Sequence, residues 1–208
     1  MRWLFAVFFA AVLFAGKPPF WEAKAPADWT DVELEELLTV SPWAQKAVSG
    51  STSEGVQVYL ATAQPMRMAE AELARRAAEK EKEKKHRGDA GAEEDPTAEE
   101  YAEFLRDNEG EYIVVAVQVR DNSILEDPAE FKRMQDQCIL KVGGKRYNMV
   151  GHFAPSPSDA MLRLVFPRAV TASDKRFRIE LYIPGTKFPY SLAEFRVEEL
   201  KFKGALAM

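Results

Sequence analysis

His152, Ser156 and Asp159 lie within eight residues and have the side-chain types of a hydrolytic triad. A triad needs serine, imidazole and carboxylate to converge from a rigid scaffold. Here Pro155 and Pro157 flank Ser156, so Phe153 to Ser158 reads as a polyproline-like connection between strands. Cys138 and His152 could form a thiol–imidazole pair, but nothing in the sequence orients the ring. His86 stands among lysines and arginines, which disfavour a bound cation. Glu93, Glu94 and Asp95 lack the spaced ligand pattern of a calcium loop. The chain has no Gly-rich phosphate loop, no H-E-x-x-H, no G-x-S-x-G and no C-x-x-C. The sequence therefore predicts no catalytic residue, no metal site and no cofactor.

The elements that would position these residues are mostly strands. Val56, Val58 and Leu60 alternate with Gln57, Tyr59 and Ala61, and Ile113 to Val119 alternates in the same way. Cys138–Val142 and Arg146–Val150 flank Gly143-Gly144, a two-residue hairpin signal. Met161–Phe166 and Arg176–Ile183 alternate as well. In the last strand Phe195 and Val197 share one parity, Leu200 and Phe202 the other, which predicts a β-bulge at Glu198-Glu199. A short helix is expected at Pro128–Gln135, begun by Asp127. Seven short alternating strands predict a mainly β (α+β) fold, an immunoglobulin-like antiparallel β-sandwich with N-terminal short helices and an inserted helical hairpin.

Residues 17–54 read as a leader holding Trp21, Trp29 and Trp43. Thr30-Asp31-Val32-Glu33 is a capping box, followed by a helix with Val32, Leu34, Leu37 and Leu38 on one side. Ser41-Pro42 has the N-cap and first-turn arrangement of a second short helix, with Val40, Trp43, Ala44 and Ala47 as its apolar face. Residues 55–208 form the β domain, interrupted by an insertion over 66–109. Within it, 66–87 carries eight basic and five acidic residues, with Glu72/Arg76, Glu81/Lys85 and Glu83/Arg87 spaced four apart. Residues 88–109 carry nine acids and one arginine. Thr97-Ala98-Glu99-Glu100 reads as a second capping box, with Tyr101, Phe104 and Leu105 on one helix face. Opposite charge on two joined helices suggests an antiparallel hairpin.

At the N-terminus, Met1-Arg2 precedes an apolar run from Trp3 to Ala15. A membrane span needs about 18 such residues, so residues 1–16 read as a secretory signal, with an uncleaved inner-membrane anchor as the alternative. No cysteine follows the run, so a lipoprotein anchor is not expected. This places the protein in the periplasm or outside the cell. The chain of 208 residues has 28 basic and 33 acidic side chains, a net charge of −5. That balance argues against nucleic acid as a partner. The single cysteine excludes an internal disulfide, and Cys138 in its apolar run is expected to be buried.

Several segments together carry a resemblance. Phe20-Trp21-Glu22, Asp28-Trp29-Thr30-Asp31 and Ser41-Pro42-Trp43-Ala44 precede the strand Val56 to Ala63. Gln64-Pro65-Met66-Arg67 then opens a charged helix, and Phe166-Pro167-Arg168 and Phe195 to Leu206 follow. The set resembles a group of secreted bacterial proteins, acidobacterial in type, to which no activity is assigned. The chain departs from that pattern at Tyr59 and Thr62, where Trp-x-Ser-Ala is expected. The resemblance implies secretion and a helical insert, and transfers no site residues. The first functional expectation is a non-enzymatic envelope protein that engages another protein through the hairpin, at Arg75, Arg76, Tyr101 and Phe104. The second is a small-ligand or carbohydrate-binding β domain with Tyr182, Phe188 and Tyr190 as its platform. A hydrolase at Ser156 or Cys138 with His152 is the third.

Overall fold

The computed structural model describes residues 18–50, 53–86, 95–119, 127–156, 159–186 and 189–208. The proposed signal, Glu93, Glu94, Phe188 and Arg87 of the Glu83/Arg87 pair lie outside these residues.

The N-terminal part begins with α1 (Phe20–Ala23) and α2 (Asp31–Val40). α2 starts where the capping box predicts: the Glu33 amide donates to Thr30 Oγ1 at 3.2 Å, and the Thr30 amide donates to Glu33 Oε2 at 2.8 Å. Leu34 and Leu37 are buried, but Val32 points to solvent. The second helix does not form. Ser41 ends α2, and Ala44–Val48 is a strand, β1. Ala44 and Ala47 are buried there as strand residues, Trp43 is buried in the turn before the strand, and Val40 is exposed.

β1 pairs along its whole length with β2 (Gly55–Leu60), from Ala44 opposite Tyr59 to Val48 opposite Gly55. Then come α3 (Gln64–His86) and α4 (Pro96–Asp107). Both sit between β2 and its neighbour β3 (Tyr112–Gln118), so they interrupt one β-hairpin connection. Asp95 caps α4, its carboxylate accepting from the amides of Thr97 and Ala98, with Pro96 in the first turn. The expected Thr97 cap is thereby corrected: the stronger acceptor two residues earlier takes the role.

α5 (Pro128–Gln137) begins at Asp127 as expected, and its amide bond to Asp127 comes from Ala129. β4 (Ile139–Val142) and β5 (Lys145–Asn148) form the expected hairpin. Gly143 and Gly144 both take positive φ, +55° and +81°, which a tight two-residue turn requires. β6 (Gly151–Phe153), β7 (Met161–Pro167), β8 (Arg176–Tyr182) and β9 (Tyr190–Arg196) complete the main sheet. The predicted bulge at Glu198-Glu199 is instead a single 3₁₀ turn, Val197–Glu199. That turn shifts the parity before β10 (Lys201–Phe202), which pairs with β11 (Ala205–Leu206).

The coarser expectation, mainly antiparallel β with added helices, holds. Two packed immunoglobulin-like sheets do not appear among the described residues. Instead one nine-stranded sheet runs β5-β4-β8-β9-β1-β2-β3-β7-β6. Its two ends are joined in sequence by only Met149 and Val150, so the sheet must curl until they meet. The Met149 amide donates to Cys138 O beside β4, and the Val150 amide donates to Val165 O on β7. Rows such as Leu60–Val115–Leu164 and Val142–Phe177–Phe195 fill the inside of the curl. Phe177 and Phe195 stack with ring centroids 5.2 Å apart.

The leader tryptophans belong to the core. Trp29 and Trp43 are buried, and Trp21 meets Trp43 edge-on at 5.9 Å. Trp43 Nε1 donates to Ala207 O at 2.8 Å, tying the leader to the C-terminal tail.

Candidate functional site

The outer face of β2, β3, β7 and β6 carries one cross-strand row: Tyr59, Ala116, Arg163 and Phe153. Ala116 separates two long side chains and leaves them room above the sheet. α3 supplies Glu70 to this row. Glu70 Oε1 accepts from the Tyr59 hydroxyl at 2.8 Å and from Arg163 Nη2 at 2.9 Å. Asp159, just before β7, holds Arg163 Nη1 at 2.6 Å. α4 adds the Tyr101 ring, and the Arg163 guanidinium lies 4.3 Å from its centroid.

This cluster is dry enough to change its chemistry. Burial pushes the Glu70 carboxyl above the usual carboxylate range, and Arg163 only partly opposes it. Burial likewise raises the Tyr59 and Tyr101 hydroxyls, so both stay protonated donors. The Tyr101 hydroxyl and Arg163 Nε are buried with no hydrogen-bond partner among the described residues. Tyr59, Tyr101 and Arg163 line part of an extended cleft of about 1940 Å³ along α3, bounded by α2, α4, the sheet and the C-terminal tail, with Met68, Leu105 and Phe153 among its apolar walls.

The four residues expected to form an interaction surface separate into two sets. Tyr101 is buried against Phe153, ring centroids 5.1 Å apart, and Phe104 packs between Tyr112 and Phe153. Those two aromatics face the sheet. Arg76 is a clamp: it bonds Glu72 on its own helix, Asp31 Oδ1 on α2 at 2.6 Å, and the Trp29 carbonyl. Arg75 remains half exposed, held by Glu72 and Glu79. The Glu72 carboxyl is lowered to about 2 by its bonds to Arg75 and then Arg76. One ion pair, Arg67–Glu109 at 2.9 Å, ties the start of α3 to the residues just after α4.

The hydrolytic residues are not brought together. Ser156 Oγ donates to Asp95, and the Ser156 and Asp159 backbones bridge each other. The His152 ring stands 4.6 Å from Phe131, and burial lowers its pKa. Cys138 Sγ contacts the backbone of Tyr182, and burial pushes its thiol up to about 12. A thiol held there is not a thiolate nucleophile at neutral pH. No hydrogen bond joins His152 to Ser156 or Cys138 among the described residues, and no group of three His, Cys, Asp or Glu side chains could hold a metal ion. Of the ligand-platform aromatics, Tyr182 and Tyr190 pair at 4.9 Å, and Phe188 lies outside the described residues.

Sequence reasoning missed Glu70 and Arg163, and weighed Asp159 only as the acid of a triad. The available signal was Arg163 itself, a full charge between Leu162 and Leu164 in an otherwise apolar strand. The comparisons with known proteins find no matching family model, curated protein or solved structure. Among the described residues no helix is long and apolar enough to cross a membrane.

Proposed function

We propose that this chain is a non-enzymatic, exported protein of the cell envelope that binds another protein through the uncovered half of α3. One observation carries the reading. α3 is about 34 Å long at 1.5 Å per residue, yet its buried residues, Pro65, Met66, Ala69 and Glu72, all lie in its first turns. From Ala77 to His86 the described side chains are exposed or only half covered. This stretch alternates Glu79, Lys80, Glu81, Lys82, Glu83 and Lys84, which keeps a free helix soluble and presents both charges to a partner. Arg75 and Glu79 lie at its base. Export rests on residues 1–16 read as a signal, with an N-terminal anchor as the alternative. The resemblance carried by Ser41-Pro42-Trp43-Ala44 supports the same compartment.

The test compares the mature chain with a version in which residues 77–94 are replaced by a short Gly/Ser linker. Both are first shown by circular dichroism to be folded. An envelope protein captured by the first and lost by the second supports the reading. Equal capture by both overturns it.

A second reading has its own observation. The Tyr101 hydroxyl and Arg163 Nε lack partners among the described residues and are buried beside a cleft with apolar walls, so a small ligand that reaches them with an acceptor group would satisfy them. Ligand-dependent shifts of Tm that vanish in Tyr101→Phe would favour it.

A further inference from the structure

The acidic net charge conceals a sharp division. Residues 17–137 carry 15 basic and 27 acidic side chains, a net −12, whereas residues 138–208 carry 12 and 6, a net +6. Opposite charge on two parts of one chain is a recognised sign of attraction to an anionic surface.

The fold concentrates that positive charge. On the outer face of β5, β4, β8 and β9 the register places Arg146, Lys141, Arg178 and Glu194 in one row. Arg176 and Arg196 are paired in a neighbouring row. β8 and β9 bury alternate residues along most of their length, Arg146, Arg176, Arg178 and Arg196 are all exposed, and among the described residues α5 meets this face at Tyr182. Glu180 and Glu194 are the only acids among the paired outward positions, leaving five basic residues against two. Glu180 holds Lys141 at 2.5 Å, Glu194 holds both Arg176 and Arg178, and Glu199 holds Arg196 at 3.1 Å. Arg146 has no partner among the described residues.

The same face is not purely polar. Leu192 follows on β9, opposite Glu180, and Tyr190 lies opposite Tyr182. Tyr190 is 55% exposed and Leu192 37% exposed. A polyanion such as nucleic acid or an acidic glycan would use the arginines and stack on Tyr190, but would leave Leu192 in water. A phospholipid surface uses both: phosphates take the guanidinium groups, and an aromatic and an aliphatic side chain enter the interface.

We propose that the outer face of β4–β5–β8–β9 docks on anionic phospholipid headgroups, with Arg146, Arg176, Arg178 and Arg196 as the phosphate contacts and Tyr190 and Leu192 at the interface. The docking is peripheral and reversible, since it involves no membrane span. It is independent of the partner proposed for α3, because the two surfaces share no residue.

The test is co-sedimentation of the mature chain with vesicles of 30% phosphatidylglycerol in phosphatidylcholine, against phosphatidylcholine alone. The expected result is binding to the anionic vesicles only, weakened by salt. A basic residue near an anionic surface is worth about fivefold in affinity, so Arg176→Gln/Arg178→Gln/Arg196→Gln should weaken binding about 100-fold. A control with the same charge change elsewhere, Lys24→Gln/Lys82→Gln/Lys132→Gln, should retain most of it. Tyr190→Ser should weaken it several-fold, with the salt dependence unchanged. Circular dichroism and Tm first establish that each variant is folded.

No binding to anionic vesicles overturns the proposal, as does equal loss in the two triple variants. A response of polyphosphate or an oligonucleotide, with none of vesicles, assigns the face to a soluble polyanion and overturns the lipid. Self-association in sedimentation velocity that the arginine variant abolishes assigns the face to the acidic part of a second copy and overturns it equally.

Discussion

β3–β7 and β8–β9 are both seven-residue antiparallel pairs in one sheet, but they are buried differently. In the first pair, Ile113–Val117 and Leu162–Phe166 are continuously buried, because the curl covers one face and the helical insertion the other. In the second, Phe177, Ile179 and Leu181 alternate with outward residues, because only the curl covers them. The hydrogen-bond ladder is the same in both. What packs against the second face decides whether an outward charge is a buried network, as at Arg163, or a solvated one, as at Arg178.

The comparison breaks most visibly at matched outward positions. Val114→Asp places a carboxylate on the covered face of β3, where the cation of the next row, Arg163, is already held by Glu70 and Asp159, and should cost several kcal/mol and abolish cooperative folding. Leu192→Asp, outward on β9, should change stability by no more than about 0.5 kcal/mol. Urea denaturation of both variants checks this; equal loss would remove the distinction between the two halves.

The next effect concerns the two arginines. Arg163→Met leaves Glu70 and Asp159 without their shared cation, and removing one member of such a buried pair costs about 3–5 kcal/mol. Arg178→Met removes an exposed partner of Glu194 and should cost about 0–1 kcal/mol. Midpoints of denaturation at constant m distinguish them.

Acid titration sharpens the contrast within α3 itself. Glu70 has its pKa raised in the folded protein, so it binds more protons folded than unfolded. Its contribution favours the fold at low pH and is lost as pH rises from 4.5 through the folded value. Glu72 is the opposite case: lowered to about 2, it contributes above 4.5, and that contribution is lost as pH falls toward 2. Glu72→Gln should therefore flatten the loss of stability on the acid side of 4.5. Glu70→Gln should remove a decline above it. Tm measured from about pH 2 to about pH 7 for both variants reads the two slopes, and slopes of the same sign would refute the assignment. The smallest effect is on the open half: Tyr190→Ser should leave Tm within about 2 °C of the unsubstituted chain.

Legibility followed the range of the interactions. The Thr30/Glu33 box, the Asp127 start of α5 and the Gly143-Gly144 turn rest on partners three residues apart or fewer, so local chemistry determines them. β1 was illegible for the same reason. Ser41-Pro42 imitates a helix start, and Ala44-Gln45-Lys46-Ala47-Val48 has only one β-branched residue. Its strand form comes from the ladder with β2, and from the Trp43 indole bonded to Ala207. Tyr101 and Phe104 were correctly placed on one helix face, but the sequence does not say what that face meets.

The sequence by itself determined the alternating strands, two of the helix caps, the tight hairpin, the burial of Cys138 and the interruption of the β domain by a charged helical stretch. Each follows from period, turn chemistry or hydrophobicity within a few residues. Only the tertiary structure decided that the strands form one curled sheet, that Trp29 and Trp43 enter its core, and that Glu70, Tyr59, Asp159, Tyr101 and Arg163 meet beneath α3 and α4. Those outcomes depend on pairings between residues as many as 164 positions apart. Local pattern carries no information about such pairings, because their free energy appears only when the whole chain closes.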